Sequence, residues 1–277
     1  VGRGPATAAE PQSYSITLEE FDKLRELVRE YAGIRLSTSK VPMVLCRLTP
    51  RLRALALESF TDYYALIASP SGSQELHTAI DLLTVNETRF FREPAHFQLL
   101  ETLVRARRSS TPFRVWSAAC SSGEEPYSIA MVLADLLPPE QWEVVASDIS
   151  LRMLERAGRA LYPLSCAQDI PEECLRRHCL KGQGSFEGTL LIDPALRERV
   201  TFRHINLQAP LPALGQFDVV FLRNVMIYFD LETKCQLMAR LLPLVRRGGH
   251  VFIGHAETLN GVTTGLTPVA PAVYRRD

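Results

Sequence analysis

Apolar residues in the first third of the chain recur at intervals of three and four. Thr17-Leu18-Glu19-Glu20 has the form of a helix cap with acids in the first turn. Phe21, Leu24, Leu27, Val28 and Tyr31 follow at helical spacing until Gly33 stops the run. The pattern predicts a second helix over 39–56 and a third over 59–67, where Phe60, Tyr63, Tyr64 and Ile67 share a face. Nothing before residue 80 alternates as a strand does. Further on the texture changes. Val115-Trp116-Ser117-Ala118-Ala119 is a short apolar run that enters a loop of small residues, Cys120 to Gly123, and leaves into an amphipathic pattern from Glu125 to Leu137. A second run, Val144-Val145-Ala146, ends on Asp148, and Leu151, Leu154 and Ala157 mark another helix. Strand and helix alternate again through Phe217 to Leu222, a helix from Leu231 to Leu244, a turn at Arg247-Gly248-Gly249, His250 to Gly254, and a final strand within Val269 to Tyr274. Such alternation predicts an α/β fold with a mostly parallel, doubly wound sheet.

These textures divide the chain. Residues 1–14 are small, polar and proline-containing and read as a disordered leader. Residues 15–80 read as a small N-terminal all-α domain, 81–95 as a linker, and 96–277 as the α/β domain. Within the last, 161–203 reads as an insertion: charge rises, Gly182, Gly184 and Gly188 appear, and strand-like pieces at Thr189 to Ile192 and Val200 to Phe202 flank a turn. A small antiparallel sheet is expected there. Pro50 falls inside the second predicted helix, where it removes a backbone donor and kinks the chain, and Pro94 marks a helix boundary at the end of the linker.

The loop after Val115–Ala119 invites a ligand on steric grounds, because only Gly, Ala and Ser let a backbone come close to one and let the next helix aim its N-terminus at it. Against the nucleotide-binding turn pattern, Ser117, Ala119, Ser121 and Gly123 stand where an acidic residue and three glycines are expected. The absence of a GxGxxG fingerprint counts against NAD, and that of a Walker lysine against ATP. An ordinary βαβ unit without a ligand has the same outline. Asp148, about two dozen residues beyond the turn, stands where such units hold a ribose by its two hydroxyls; a helix cap ahead of Ser150-Leu151-Arg152 is its other reading.

Composition narrows the classes. With 277 residues, 46% of them hydrophobic and 22% charged, the chain can bury two cores. Lysine plus arginine and aspartate plus glutamate each number 31, so the formal net charge of zero argues against bulk nucleic-acid or membrane binding. The first residues lack the apolar core of a signal peptide, and no run approaches the roughly 18 apolar residues of a spanning helix. Six cysteines, Cys46, Cys120, Cys166, Cys174, Cys179 and Cys235, lie scattered without CxxC pairing. Free thiols in a reducing cytoplasm and a monomer are expected, and no metal site, the Cys174-His178-Cys179 grouping included.

Four words occur in order between Leu83 and Phe229: TVNETRFFRE, VWSAACSSGEEPYSIA, ASDIS and FLRNVMIYFD. Together they resemble the chemotaxis receptor methyltransferase family, and the resemblance runs from about residue 15 to the C-terminus. It implies a Rossmann-like class I methyltransferase domain that moves a methyl group from S-adenosyl-L-methionine to glutamate side chains of chemoreceptors, leaving S-adenosyl-L-homocysteine. By the same resemblance the linker folds over the cofactor with Asn86, Thr88 and Arg92 touching it. Asp148 is assigned to the ribose, and Asn206 and Leu207 lie beside the adenine. Arg223 and Asn224 sit at the carboxyl edge of an apolar strand, and Arg92 and Tyr228 flank the substrate glutamate and the transferring methyl. Glu124 is expected to take the amino group in place of the acid missing at Ser117, with Glu125 ranked second and His255 and Glu257 in support.

Methylation of a carboxylate is a displacement for which glutamate, whose side chain titrates at about pH 4.3 when unperturbed, is already ionised at neutral pH. No general base is needed, and positioning is the main source of acceleration. Family members meet the receptor's acidic methylation region with a basic helix, here carrying Lys40, Arg47, Arg51 and Arg53, and some add a receptor's C-terminal tail peptide to the small sheet, beside a turn resembling Gly182-Gln183-Gly184. A methyltransferase for another protein or a small molecule, and a cofactor-binding docking module without turnover, are the alternatives.

Overall fold

The computed structural model describes residues 13–262 and 265–277. The leader expected over 1–14 lies, up to residue 12, outside them. The chain forms two compact units: residues up to Glu30 with Leu36–Leu83, and Tyr31–Arg35 with Thr84–Asp277.

The first unit is helical, and among the described residues no strand precedes residue 113. α1 (Leu18–Ala32) opens with a reciprocal cap: Glu20 N–H donates to Thr17 Oγ1 at 3.2 Å, and Thr17 N–H to Glu20 Oε2 at 2.9 Å. The other oxygen of Glu20 accepts from the backbone and hydroxyl of Thr61, tying this cap to the start of α3. α2 (Val41–Ala54) runs unbroken through Pro50, and α3 (Phe60–Ile67) is capped by Ser59. Phe21, Leu24, Val28, Val44, Leu48, Leu52, Phe60, Tyr63 and Ile67 are buried, as their spacing predicts. A further helix, α4 (Ser73–Leu83), follows, inserting only Ala79, Ile80 and Leu83 into the core. The basic face of α2 is engaged within the unit. Arg51 forms a two-pronged pair with Glu75 at 2.6 and 2.9 Å, Arg47 donates to the Leu82 carbonyl, and Arg53 lies over the Tyr14 ring.

The second unit is built on a seven-stranded mixed sheet. After α5 (Pro94–Ala106) come β1 (Phe113–Ser117), α6 (Glu124–Leu136), β2 (Trp142–Asp148) and α7 (Leu151–Arg159). Then follow β3 (Leu161–Pro163), α8 (Glu172–His178), β4 (Cys179–Lys181), β5 (Thr189–Ile192), α9 (Pro194–Arg197) and β6 (Val200–His204). β7 (Phe217–Leu222), α10 (Leu231–Leu241), β8 (Val245–Ile253), β9 (Leu266–Ala270) and β10 (Val273–Arg276) complete the chain. The large sheet runs β6-β2-β1-β7-β8-β10-β9, parallel up to β8 and antiparallel beyond it. Alternate strand positions feed two cores. Val115, Val144, Val219 and Phe252 pack with α5 and α6 on one face, and Trp116, Val145, Val220 and Val251 with α10 on the other.

Three expectations change. Val200–Phe202 belongs to the large sheet, with Val200 beside Val144, so the small antiparallel sheet is β3-β5-β4 alone; a short apolar run does not reveal which sheet it joins. The final strand is a hairpin, because Pro271 and left-handed Ala272 (φ 57°) break the run into β9 and β10. The glycines expected to make a turn before His250 instead lie within β8, as a register shift against β7 with Gly248 at φ 75°.

Candidate active site

Chemistry-bearing residues gather at the carboxyl ends of β1, β2 and β7, where open α/β sheets bind ligands. β1 ends at the fully buried Ser117, and the turn that follows is held backbone to backbone, Ala118 to Phe221 and Cys120 to Ser147. Ser121, at φ 47°, aims its N–H at Asp148 Oδ2, 2.8 Å away. The other oxygen of Asp148 accepts from Ser150 N–H at 2.9 Å, while the cap of α7 is the Ser150 hydroxyl rather than Asp148. Gly123 starts α6 at φ 96°, and a Cβ there would fall 2.8 Å from both Ala157 Cβ and the Tyr162 hydroxyl, so only glycine fits.

The linker enters this cluster from above. Asn86 offers its carbonyl to the Ser121 hydroxyl, Phe90 packs edge-on against Tyr162, and the Phe91 N–H donates to Ser128. Phe91 and Glu93 are both left-handed, at φ 47° and 61°, which throws Arg92 outward between them. Arg223, 5% exposed, holds the arrangement: it pairs with Glu125 Oε2 and Glu93 Oε2, each at 3.0 Å, and donates to the Arg92 carbonyl at 2.5 Å. Glu125 also accepts from the Ser117 hydroxyl at 2.7 Å. Burial raises its pKa despite the guanidinium, whereas at Glu93 burial is outweighed by Arg223 and His255, which hold that carboxyl below its ordinary value. Asn224, left-handed at φ 58°, is fixed by Glu257, whose carboxylate accepts from the N–H groups of Asn224, Ile227 and Gly254. Burial raises the Tyr228 phenol, with Arg92 close enough to oppose it.

Comparison with known sequences identifies the lineage. Residues 86–274 match the CheR methyltransferase SAM-binding domain, and residues 19–84 match the CheR methyltransferase all-alpha domain. The chain belongs to the CheR methyltransferase family. Chemotaxis protein methyltransferase 2 of Pseudomonas aeruginosa is 40% identical over 269 residues, 95% of either chain. The chemotaxis protein methyltransferase of Escherichia coli is 41% identical over 257 residues, 92% of this chain and 89% of that one. The Borreliella burgdorferi relative of the same name is 30% identical over 95% of this chain and 96% of its own.

Family membership makes this CheR chain an S-adenosylmethionine-dependent methyltransferase with the Rossmann-like fold expected of it. The donors present suit that cofactor. A carboxylate at the end of β2 can accept from ribose hydroxyls, since a carboxylate has about four acceptor sites; a second, Glu125, can take an ammonium; and Arg92 brings a cation for a carboxylate.

Of the residues singled out by sequence, Asn86 and Asp148 are joined through Ser121, Arg92 is bonded by Arg223, Asn224 is held by Glu257, and Tyr228 lies within electrostatic reach of Arg92. The two adjacent glutamates take different surroundings. The place beside Ser117 belongs to Glu125, because the first turn of α6 sends successive side chains about 100° apart. Glu124 points instead to the Ser122 hydroxyl, 2.7 Å away, and burial raises its pKa. The Asn206 amide donates to the Tyr31 carbonyl at 2.6 Å and its oxygen accepts from Gln208 N–H, so it fixes the 31–35 segment; Leu207 is buried beside it. Thr88 is half-buried on the linker. Sequence reasoning missed Glu93, although it directly follows Arg92 in the word FFRE.

Proposed function

We propose that the chain is a cytoplasmic protein-glutamate O-methyltransferase that forms methyl esters on chemoreceptor glutamates. The observation that carries this reading is the buried Arg223, which clasps the linker carrying Arg92 to Glu125 and the turn after β1, so that cofactor residues and acceptor residues share one support. Among the described residues no helix is long and apolar enough to cross a membrane.

Each residue then has a defined task. Asp148 holds the ribose hydroxyls, Glu125 the amino group, and Asn86, Thr88, Leu207 and Asn224 line the remaining contacts, with Asn206 acting through the 31–35 segment. When bound, S-adenosylmethionine supplies an electrophilic methyl on a sulfonium. Arg92 and Tyr228 would hold and orient the acceptor carboxylate, which is ionised without a base, and such positioning would be their contribution to the rate.

The receptor's acidic methylation region meets α2 through Arg53 and through Lys40 just ahead of the helix, with Arg47 and Arg51 held partly inside the bundle. A receptor tail peptide adds to β4, an edge of the small sheet, next to the exposed Leu180 and Phe186. Gly182 makes that turn possible: a Cβ there would lie 1.9 Å from the Phe186 carbonyl oxygen.

The test is tritium transfer from labelled cofactor to membranes bearing a panel of receptors, with the label released by mild alkali as an ester requires. Alkali-stable labelling points to another acceptor group. No labelling by a protein that binds cofactor tightly overturns the reading in favour of a docking module.

A further inference from the structure

Glu93, His96 and His255 bring three ligand atoms within 4.8 Å of one another. Glu93 Oε2 lies 3.3 Å from His96 Nδ1 and 3.8 Å from His255 Nε2. Four ligands placed tetrahedrally about 2.0–2.1 Å from a zinc ion are separated by roughly 3.3 Å, so these spacings are close to those of a coordination shell. The three residues come from separate places: the left-handed Glu93, the first turn of α5, and the residues just beyond β8, where His255 also donates its backbone N–H to Glu93 Oε1.

Two further observations point to a ligand. His96 is 2% exposed, yet neither of its ring nitrogens has a hydrogen-bond partner of good geometry, and Glu93 Oε2 beside it meets Arg223 as an ion pair at 3.0 Å. Buried polar atoms in native proteins are nearly always satisfied, so an imidazole buried with neither nitrogen well bonded, beside a carboxylate and a second imidazole, needs an explanation. Charge agrees. Two carboxylates, Glu93 and Glu125, face one guanidinium, Arg223, leaving one negative charge if both imidazoles are neutral. The Arg92 side chain is turned away to the Glu87 carbonyl. Arg223 stands 3.0 Å from Glu93 Oε2 and weakens any cation there, but it keeps its bonds to Glu125 and the Arg92 carbonyl.

We propose that Glu93, His96 and His255 form a three-ligand site for a zinc-like divalent ion, with a coordination position left to water through the half-exposed His255. A bound ion staples the Arg92-Glu93 turn to the end of β8, setting the position of Arg92 by metal occupancy.

Cobalt(II) is the probe, used with the intact chain. The wild type should take up one equivalent with visible absorption of a four-coordinate ion and without a thiolate charge-transfer band, which separates this site from the six cysteines. His255→Ala and His255→Gln change a residue whose side chain is 52% exposed, so both should fold. Each should bind cobalt at least about tenfold more weakly and lose the rise in unfolding temperature that zinc gives the wild type. Equal binding by wild type and variants, a thiolate band, or no uptake by the wild type each overturns the proposal.

Discussion

Replacing Arg223 by methionine keeps much of the side chain's bulk and removes its charge. Two buried carboxylates, Glu125 and Glu93, then lose a cation 3.0 Å away, and the Arg92 carbonyl loses its donor. Breaking a buried pair by removing one partner costs about 3–5 kcal/mol. Part of this is recovered when the stranded carboxylates take up protons, and Glu125, whose pKa burial already raises, does so first. The sign follows. The variant's carboxyls have folded pKa values above those of the unfolded chain, so its deficit is largest at neutral pH and shrinks as pH falls toward the carboxylate range. Adding Glu125→Gln removes one stranded charge and should restore roughly 1–3 kcal/mol, a coupling that distant residues do not show. Urea unfolding of the wild type, both single variants and the double variant at two pH values measures it. Additive effects within about 0.5 kcal/mol, or a deficit that grows in acid, would refute the account of Arg223 as the clasp of the site.

Asp148→Ala should weaken binding of S-adenosylhomocysteine by roughly 1.5–3 kcal/mol in a folded protein; calorimetry measures it, and unchanged affinity removes Asp148 from the site. Arg92→Ala and Tyr228→Phe should lower turnover at saturating cofactor while changing cofactor affinity less than Asp148→Ala does, and wild-type turnover on a confirmed receptor would end the assignment. Gly123→Ala puts a Cβ against Ala157 and Tyr162 at positive φ and should destabilise by about 1–3 kcal/mol, read by thermal unfolding, with Gly158→Ala, whose Cβ meets nothing within 4 Å, as the control. Gly182→Ala should abolish binding of a cognate receptor tail peptide without altering cofactor affinity; failure of every tail peptide of the source genome to bind the unmodified protein sinks that idea.

The strands, helices and turn of the sheet were legible because each is a local statement: Val115 to Ser117 runs into small residues, and Asp148 ends an apolar run. What escaped depends on partners far apart in sequence. Glu124 and Glu125 are adjacent and chemically alike, and only the three-dimensional position of Ser117 and Arg223 separates them. β6 was assigned to the insertion because pairing with β2 leaves no mark on five residues. Asn206 read equally well as a turn residue, and its Oδ1 does accept from Gln208 N–H two residues on. α4 escaped for no physical reason, since Leu76, Ala79, Ile80 and Leu83 recur at helical spacing.

The backward-coiled residues on either side of Arg92 have a consequence for the order in which the protein comes together. A non-glycine residue in the left-handed region costs on the order of 1 kcal/mol, and Phe91 and Glu93 both sit there with no local compensation from each other. Their restraints arrive late in the chain: Ser128 from α6, the guanidinium after β7, and the His255 amide beyond β8. A nascent chain that has emitted only its first hundred residues lacks all three restraints, and the last of them arrives with His255, near the end of the sequence. Catalytic competence thus works as a built-in report that folding is finished.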